Sequence, residues 1–494
     1  MGGLFKWSEF AVRKIPIAFI LLFSGFCFVP VDGAGMDEFL NDDRLQGAFV
    51  GILFEDINSD SIMFAYNDDL RFSTASNLKL FTSAAALELL GPDYCFQTDF
   101  YNSGEIKNNG KLNGDLLICG GGDPLISGRF RDTLTEVLDY WGDSLQSRGI
   151  KEIKGDLVID NGFFKADELG PGWSWDDLTY WYACPISALS FNDNCVDFHV
   201  YPGVEADSPC RIILNPPNDY IAMLNHTQTL LEGQENTFDF YRHPGTNIVD
   251  YFGGVAIDDP EGIVDYVSVR KPDIYCATIL RDILKYRNIK LKGKIIEVDT
   301  LDTPTKYHYA NLKKLFTWQS EPLSVVISVI NKNSQNFFAE QTLKTIGAEI
   351  AGEGSYPAST MVVEDWLESI GITADDITYC DGSGLSYIDL AKPSAIIELL
   401  DHMYSSPNFD TYFESMAIPG VDRSVRNRMK GHPLAAAMRT KTGHIANTRT
   451  FAGYLTTSQG KLVAFSLMVN NYAAGSDEID NWMDDFCRFV IDNN

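Results

Sequence analysis

Ser76-Asn77-Leu78-Lys79 stands at the head of a helical run, Leu78, Leu80, Phe81, Ala84, Ala85, Leu87 and Leu90, that Gly91 ends. A serine and a lysine three apart at a helix start lie on one face, one turn apart. The hydroxyl becomes a nucleophile if the amine accepts its proton. That requires a neutral lysine, favoured by burial and by a second cation nearby. The helix N-terminus also favours developing negative charge. Just upstream, residues 46–54 and 62–66 read as strands joined by a turn at Asn58-Ser59-Asp60. The S-x-x-K spacing is weak alone, and it recurs at Ser268 and Lys271 and at Ser458 and Lys461. The last pair spans a hairpin turn, and Lys271 is followed by Pro272 with no helix beneath the serine. Only Ser76 opens a strong helix after a strand pair.

Towards the C-terminus, residues 450–457 and 462–469 read as apolar strands joined at Ser458-Gln459-Gly460. A final helix begins near Ser476 and carries Ile479, Trp482, Met483, Phe486 and Val490 at helical spacing. Strand pairs near both ends suggest one sheet built from both, with a middle section inserted. That section has an internal echo. A helical stretch at 133–146 leads through Arg148-Gly149-Ile150-Lys151 to a strand at 154–160. A second at 277–286 leads through Arg287-Asn288-Ile289-Lys290 to a strand at 292–296. Two copies fit a small α+β module interrupted by another segment, not a solenoid.

Lys441-Thr442-Gly443 is the chain's one K-T-G and precedes an apolar strand. A lysine on an edge strand can hold a substrate carboxylate and lower the pKa of a neighbouring amine. The glycine lets a substrate backbone lie against the strand. Ser334-Gln335-Asn336 follows the apolar run 323–330 and opens a helical segment ending at Gly347. Its serine can relay protons and its asparagine can orient a peptide group; Ser190-Phe191-Asn192 is a decoy of the same form. S-x-x-K, S-x-N and K-T-G occur in that order, each at an element boundary. Class A β-lactamases and penicillin-binding proteins share this ordered trio.

On these residues the chain resembles a low-molecular-mass class C penicillin-binding protein, a family of exported serine D-alanyl-D-alanine carboxypeptidases and endopeptidases. The similarity also takes in Gly120-Gly121-Gly122-Asp123-Pro124, Pro171-Gly172-Trp173-Ser174-Trp175-Asp176-Asp177, Ile186-Ser187-Ala188-Leu189, Asp381-Gly382-Ser383-Gly384-Leu385-Ser386 and Phe451-Ala452-Gly453-Tyr454. The long interval between Lys79 and Ser334 separates it from a compact β-lactamase. The resemblance implies an α/β (α+β) fold: a β-lactamase/transpeptidase-like domain with helices around an antiparallel sheet, plus two inserted subdomains. The expected division is a signal peptide at 1–33, a discontinuous catalytic domain at 36–98 and 300–494, an inserted α+β subdomain at 99–185 and 270–299, and a nested second subdomain at 186–269.

The resemblance further implies Ser76 as the acylated nucleophile, Lys79 as its proton acceptor and Ser334 as the relay towards the leaving D-alanine. Asn336 would bind the substrate amide, and Lys441 and Thr442 its terminal carboxylate. Gly443 lets the substrate lie close, and the N–H groups of Ser76 and His444 would form the oxyanion hole. Peptidoglycan stem peptides are the implied partners, with β-lactams as acylating inhibitors and no cofactor or metal. Asp177 would bind the free amine of a diaminopimelate side chain, against its plain reading as a helix cap. Four positions depart from the family's habits: Thr74 for proline, Asn77 for threonine, His444 for a small hydroxyl residue and Arg423 for glycine. These departures keep open an alternative, a catalytically weak or inactive peptidoglycan-binding scaffold on the same fold.

Composition bounds the rest. The chain has 494 residues and a net charge of −29, from 39 Lys plus Arg against 68 Asp plus Glu. That charge argues against nucleic acid, whose phosphates need a basic face. It also means that an anionic substrate must be held by a local cation. With 45% hydrophobic and 22% charged residues the composition is that of a globular protein. Lys6, Arg13 and Lys14 precede an apolar stretch at 17–31 and the small residues Gly33, Ala34 and Gly35. That order reads as a secretory signal cut after Gly33. The expected location is periplasmic or otherwise extracytoplasmic, with loose membrane association left open. Such a cut removes Cys27 of the nine cysteines and leaves an even number, compatible with disulfides.

Overall fold

The computed structural model describes residues 33–165, 168–298 and 312–494. The proposed signal, apart from Gly33, lies outside the described residues, as does the expected boundary between 299 and 300. No helix among the described residues is long and apolar enough to cross a membrane.

The strand Phe49–Asp56 is apolar almost continuously, so it needs cover on both faces. It receives that cover inside an antiparallel five-stranded sheet, second from one edge. The spatial order is Ser61–Tyr66, Phe49–Asp56, Leu462–Asn470, Thr448–Thr456 and Arg439–Ile445. Successive side chains point to opposite faces, and the packing divides accordingly. Ile52, Phe54, Phe451, Phe465 and Leu467 meet Trp482 and Phe486 of the C-terminal helix Ser476–Asn493. Leu53, Ala452, Tyr454, Ala464 and Met468 face the other way, towards the helices Leu78–Leu89 and Pro393–Ser405. Phe54 stacks on Phe465 with ring centroids 5.4 Å apart, in the register that pairs these two residues. Burying one such ring contributes roughly 1.5–3 kcal/mol.

The helix Leu78–Leu89 is buried on every side over most of its length, as a helix at the centre of a larger domain must be. It packs against the helices Leu323–Asn333 and Asn336–Ile346. The apolar run at 323–330 is thus the first of two consecutive helices.

A second sheet carries the inserted section. Its order is Ile295–Glu297, Leu157–Asp160, Leu116–Cys119, Cys95–Asn102 and Lys313–Pro322. The internal echo has a structural counterpart. Ile295, Ile296 and Glu297 pair in parallel with Leu157, Val158 and Ile159, and Lys290–Leu291 pairs in parallel with Glu152–Ile153. The two helices, Glu136–Ser147 and Pro272–Tyr286, share one core through Leu138, Trp141, Ile279 and Leu280. Between the copies, Arg211–Asn215, Cys195–Tyr201 and Ile263–Ser268 form a separate three-stranded sheet.

Candidate active site

The chain enters the helix Leu78–Leu89 through a tight turn. Ala75 takes a left-handed conformation, φ 43°, immediately before Ser76. Gly384, also left-handed at φ 73°, comes so close that a Cβ there would stand 1.9 Å from the Ala75 carbonyl oxygen. On the opposite side is the edge strand Arg439–Ile445. A Cβ on Gly443 would stand 3.0 Å from the Ser76 nitrogen and 2.1 Å from Thr450 Oγ1. Both glycines are required because backbone meets backbone around the serine.

Lys79 Nζ donates to Ser76 Oγ at 2.8 Å, to Asn336 Oδ1 at 2.7 Å and to the Ser383 carbonyl at 2.7 Å. The lysine is wholly buried, and that desolvation lowers its pKa to about 7 against the opposing pull of Asp381, Glu340 and Asp389. A substantial fraction of the amine is therefore neutral near neutrality, as a proton acceptor must be. Across the cleft, Lys441 Nζ donates to Ser334 Oγ at 2.8 Å and to the Thr442 carbonyl at 2.6 Å. Burial, with a further push from the Lys79 charge, holds the Lys441 ammonium well below its ordinary range. Ser334 is itself left-handed, φ 56°, at the kink between two helices.

Asn336 spans two groups. Its Oδ1 accepts from Lys79, and its Nδ2 donates to the Tyr182 carbonyl at 2.8 Å. The Tyr182 hydroxyl in turn donates to Asp177 Oδ1 at 2.9 Å. Asp177 opens the short turn Asp177–Thr179, without a side-chain cap, and burial raises its pKa. The anticipated serines, lysines and asparagine thus meet in one cleft, with Asp177 tied to it through Tyr182. His444 is exposed at the far end of the strand, its imidazole kept below its ordinary pKa by desolvation and by Arg449. Arg423 is exposed beside Ser424, whose hydroxyl donates to the Lys332 carbonyl.

The decoys serve the scaffold. Ser268 Oγ binds Arg242, and Lys271 pairs with Glu168 and Glu297. Asn192 donates to Asp197.

Two contributors escaped the sequence reading. One is the Ser383 carbonyl, held by a turn whose Asp381 accepts from the amides of Ser383, Gly384 and Ser386 and from Trp173 Nε1. The other is the Tyr182 carbonyl. Both are backbone atoms, which side-chain motifs do not reveal. The only available signal was an aspartate heading a run of small residues, a pattern suited to an Asx turn.

A serine beside a buried, partly neutral lysine, faced by a second serine and lysine across an antiparallel sheet edge, defines a serine acyl-transfer hydrolase of the penicillin-recognising type. The chain belongs to the D-Ala-D-Ala carboxypeptidase 3 (S13) family, whose model matches residues 33–490. It is a serine-type D-Ala-D-Ala carboxypeptidase. It is 28% identical over 449 residues to a D-alanyl-D-alanine carboxypeptidase of Actinomadura sp., covering 89% of this chain and 80% of that protein. It is also 28% identical to the D-alanyl-D-alanine carboxypeptidase DacB of Haemophilus influenzae, covering 88% of each. The crystal structure of penicillin binding protein 4 from H. influenzae superposes with a TM-score of 0.79 at 24% identity, covering 92% of this chain and 99% of that one. The transpeptidase-like fold expected from the motifs is the fold observed.

Proposed function

We propose that Ser76 carries the acyl group and that the other cleft residues act in the following order. Neutral Lys79 takes the proton from Ser76 Oγ as the oxygen attacks the carbonyl of the penultimate D-alanine. The N–H groups of Ser76 and His444 stabilise the oxyanion, an interaction worth on the order of 3 kcal/mol per donor. Ser334, bonded to Lys441, relays the proton taken up by Lys79 to the leaving nitrogen, and the C–N bond breaks to release D-alanine and leave Lys79 neutral again. Asn336 orients the substrate amide, and Lys441 and Thr442 hold the terminal carboxylate where Gly443 permits close approach. Water then attacks the ester with Lys79 as base, and Ser76 recovers its proton. Asp177 receives the amine of a diaminopimelate side chain, which would also admit D-Ala-diaminopimelate cross-links as substrates.

A β-lactam is attacked by the same oxygen and remains as a long-lived ester. The substrate is the peptidoglycan stem peptide, and the working site is extracytoplasmic, reached through the segment ending at Gly33. The discontinuous domain division set out above is retained in this reading.

The observation that supports it best is the 2.8 Å bond from a buried amine to Ser76 Oγ. The test is intact-mass analysis after incubation with penicillin. Wild type should gain one penicillin mass and Ser76→Ala none; equal labelling of both would refute the assignment.

A further inference from the structure

Near enough to Lys79 to act on its charge lies a buried carboxyl that the mechanism above does not use. Glu340 sits four residues after Asn336 on the same helix, one turn further along the same face. It is completely buried. Its Oε2 accepts from the Gly382 amide at 3.0 Å, one residue from the carbonyl that caps Lys79. Asp381 accepts from the amides of Ser383, Gly384 and Ser386, and Thr82 Oγ1 donates to the Gly382 carbonyl at 2.6 Å. Three successive peptides of this turn are therefore held, Asp381–Gly382 by Glu340, Gly382–Ser383 by Thr82 and Asp381, and Ser383–Gly384 by Asp381, and the last presents the Ser383 oxygen to Nζ.

We propose that Glu340 is a positioning residue of this centre: its carboxyl anchors, through the Gly382 amide, the turn that presents the Ser383 carbonyl to Lys79, and its charge state governs whether that amine carries a proton. The proposal rests on Lys79 being the base that activates Ser76. Every titratable group facing the pair contributes to the balance. Asp381 comes from the turn and Asp389 from just beyond it, Lys441 from the sheet edge, and Tyr356 and Tyr379 from the segments packed against Glu340. Burial, then its contact with Asp381, pushes the Asp389 carboxyl well above the usual carboxylate range. Burial, followed by repulsion from Asp381, pushes Glu340 up to about 8, beside an amine lowered to about 7. Two such groups titrate as a unit. Over the working range the pair holds one proton in two forms, amine with carboxylic acid or ammonium with carboxylate. Only the first can accept the proton of Ser76.

The experiment is the pH dependence of acylation by a fluorescent penicillin, for wild type and Glu340→Gln. Glutamine keeps an acceptor for the Gly382 amide but removes the ammonium–carboxylate form. The acid limb should then become a single-proton curve with its midpoint roughly half a unit or more lower. A merely structural role would change the plateau and leave the midpoint in place, which overturns the proposal. If wild type itself forms no adduct, the assignment of Ser76 fails and this inference with it. An adduct with an unmoved limb removes Glu340 alone. Should Glu340→Gln not fold, carbon-13 NMR of wild type labelled at its glutamate carboxyls decides. A carboxyl titrating above about pH 6 that is perturbed when penicillin occupies Ser76 supports the proposal; the absence of one refutes it.

Discussion

Lys441 reaches Ser334, not a carboxylate: its Nζ lies 2.8 Å from Ser334 Oγ, and among the described residues it makes no ion pair. Burial and the Lys79 charge both oppose the ammonium form of an amine so placed. A substrate carboxylate arriving beside it reverses that balance by favouring the ammonium form. Binding should therefore draw a proton from solution. Calorimetry of a D-Ala-D-Ala peptide binding to Ser76→Ala, in two buffers of different ionisation heat at about pH 8, should reveal the uptake. Adding Lys441→Gln should abolish it and weaken binding about tenfold or more.

The pH profile of acylation follows from Lys79. With its pKa lowered to about 7, the amine is protonated below that value and cannot act as base. Acylation should fall on acidification through pH 7 and level off above it. Lys79→Arg, charged at all pH values, should lose roughly 10²–10⁴-fold in acylation rate. Stopped-flow measurement with a chromogenic cephalosporin would settle both; a flat profile between about pH 5 and 9 would count against Lys79 as base.

Gly443→Ala tests the approach of strand to nucleophile. The added carbon would stand 2.1 Å from Thr450 Oγ1 and 3.0 Å from the Ser76 nitrogen. Strand or serine must shift by a good fraction of an ångström, a displacement that costs on the order of 10²-fold in rate. The melting temperature should move little by comparison, since the strand lies at the sheet edge.

Asp177→Asn separates specificity from catalysis. Asparagine can still accept from the Tyr182 hydroxyl but carries no charge to meet an ammonium group. Turnover of peptides with a free side-chain amine should drop about tenfold, while N-acetylated counterparts should be unaffected. Equal loss on both would show that Asp177 only braces Tyr182 and, through its carbonyl, Asn336.

Stability depends on an ion pair far from the cleft. Asp484 of the C-terminal helix accepts from Arg428 Nε at 2.7 Å and from the Met429 amide at 2.6 Å, both in the interior. Arg428 also lies over the Phe451 ring, 4.0 Å from its centroid. Asp484→Ala leaves a buried guanidinium without its main counter-charge and should cost about 3–5 kcal/mol. Denaturant unfolding should report that loss, with the acylation rate of the folded enzyme unchanged.

The sheet and its two flanking cores were legible because alternation and helical spacing are local signals. Residues 462–469 and the helix from Ser476 needed no long-range knowledge. The three motifs were legible for a different reason: each stands at an element end, where polar side chains can face a cleft. The strand Lys313–Pro322 was not anticipated, since Lys313, Lys314, Gln319 and Glu321 break the apolar pattern. Its partner across the ladder, Cys95–Asn102, is more than two hundred positions away, and pairing at that separation leaves no local trace. Glu340 was readable only as one more charge on a helix. Its burial depends on a turn supplied by residues 381–386.

The pairing of Phe49–Asp56 with Leu462–Asn470 has a consequence for biogenesis. An emerging polypeptide delivers Ser76 early, yet the central ladder beneath it cannot form until almost the whole message has been translated. The inserted section, whose two related halves find each other at shorter range, can assemble first. The reactive hydroxyl thus stays unarmed throughout synthesis, and a product released early by the ribosome would carry Ser76 without the edge strand that completes its cleft.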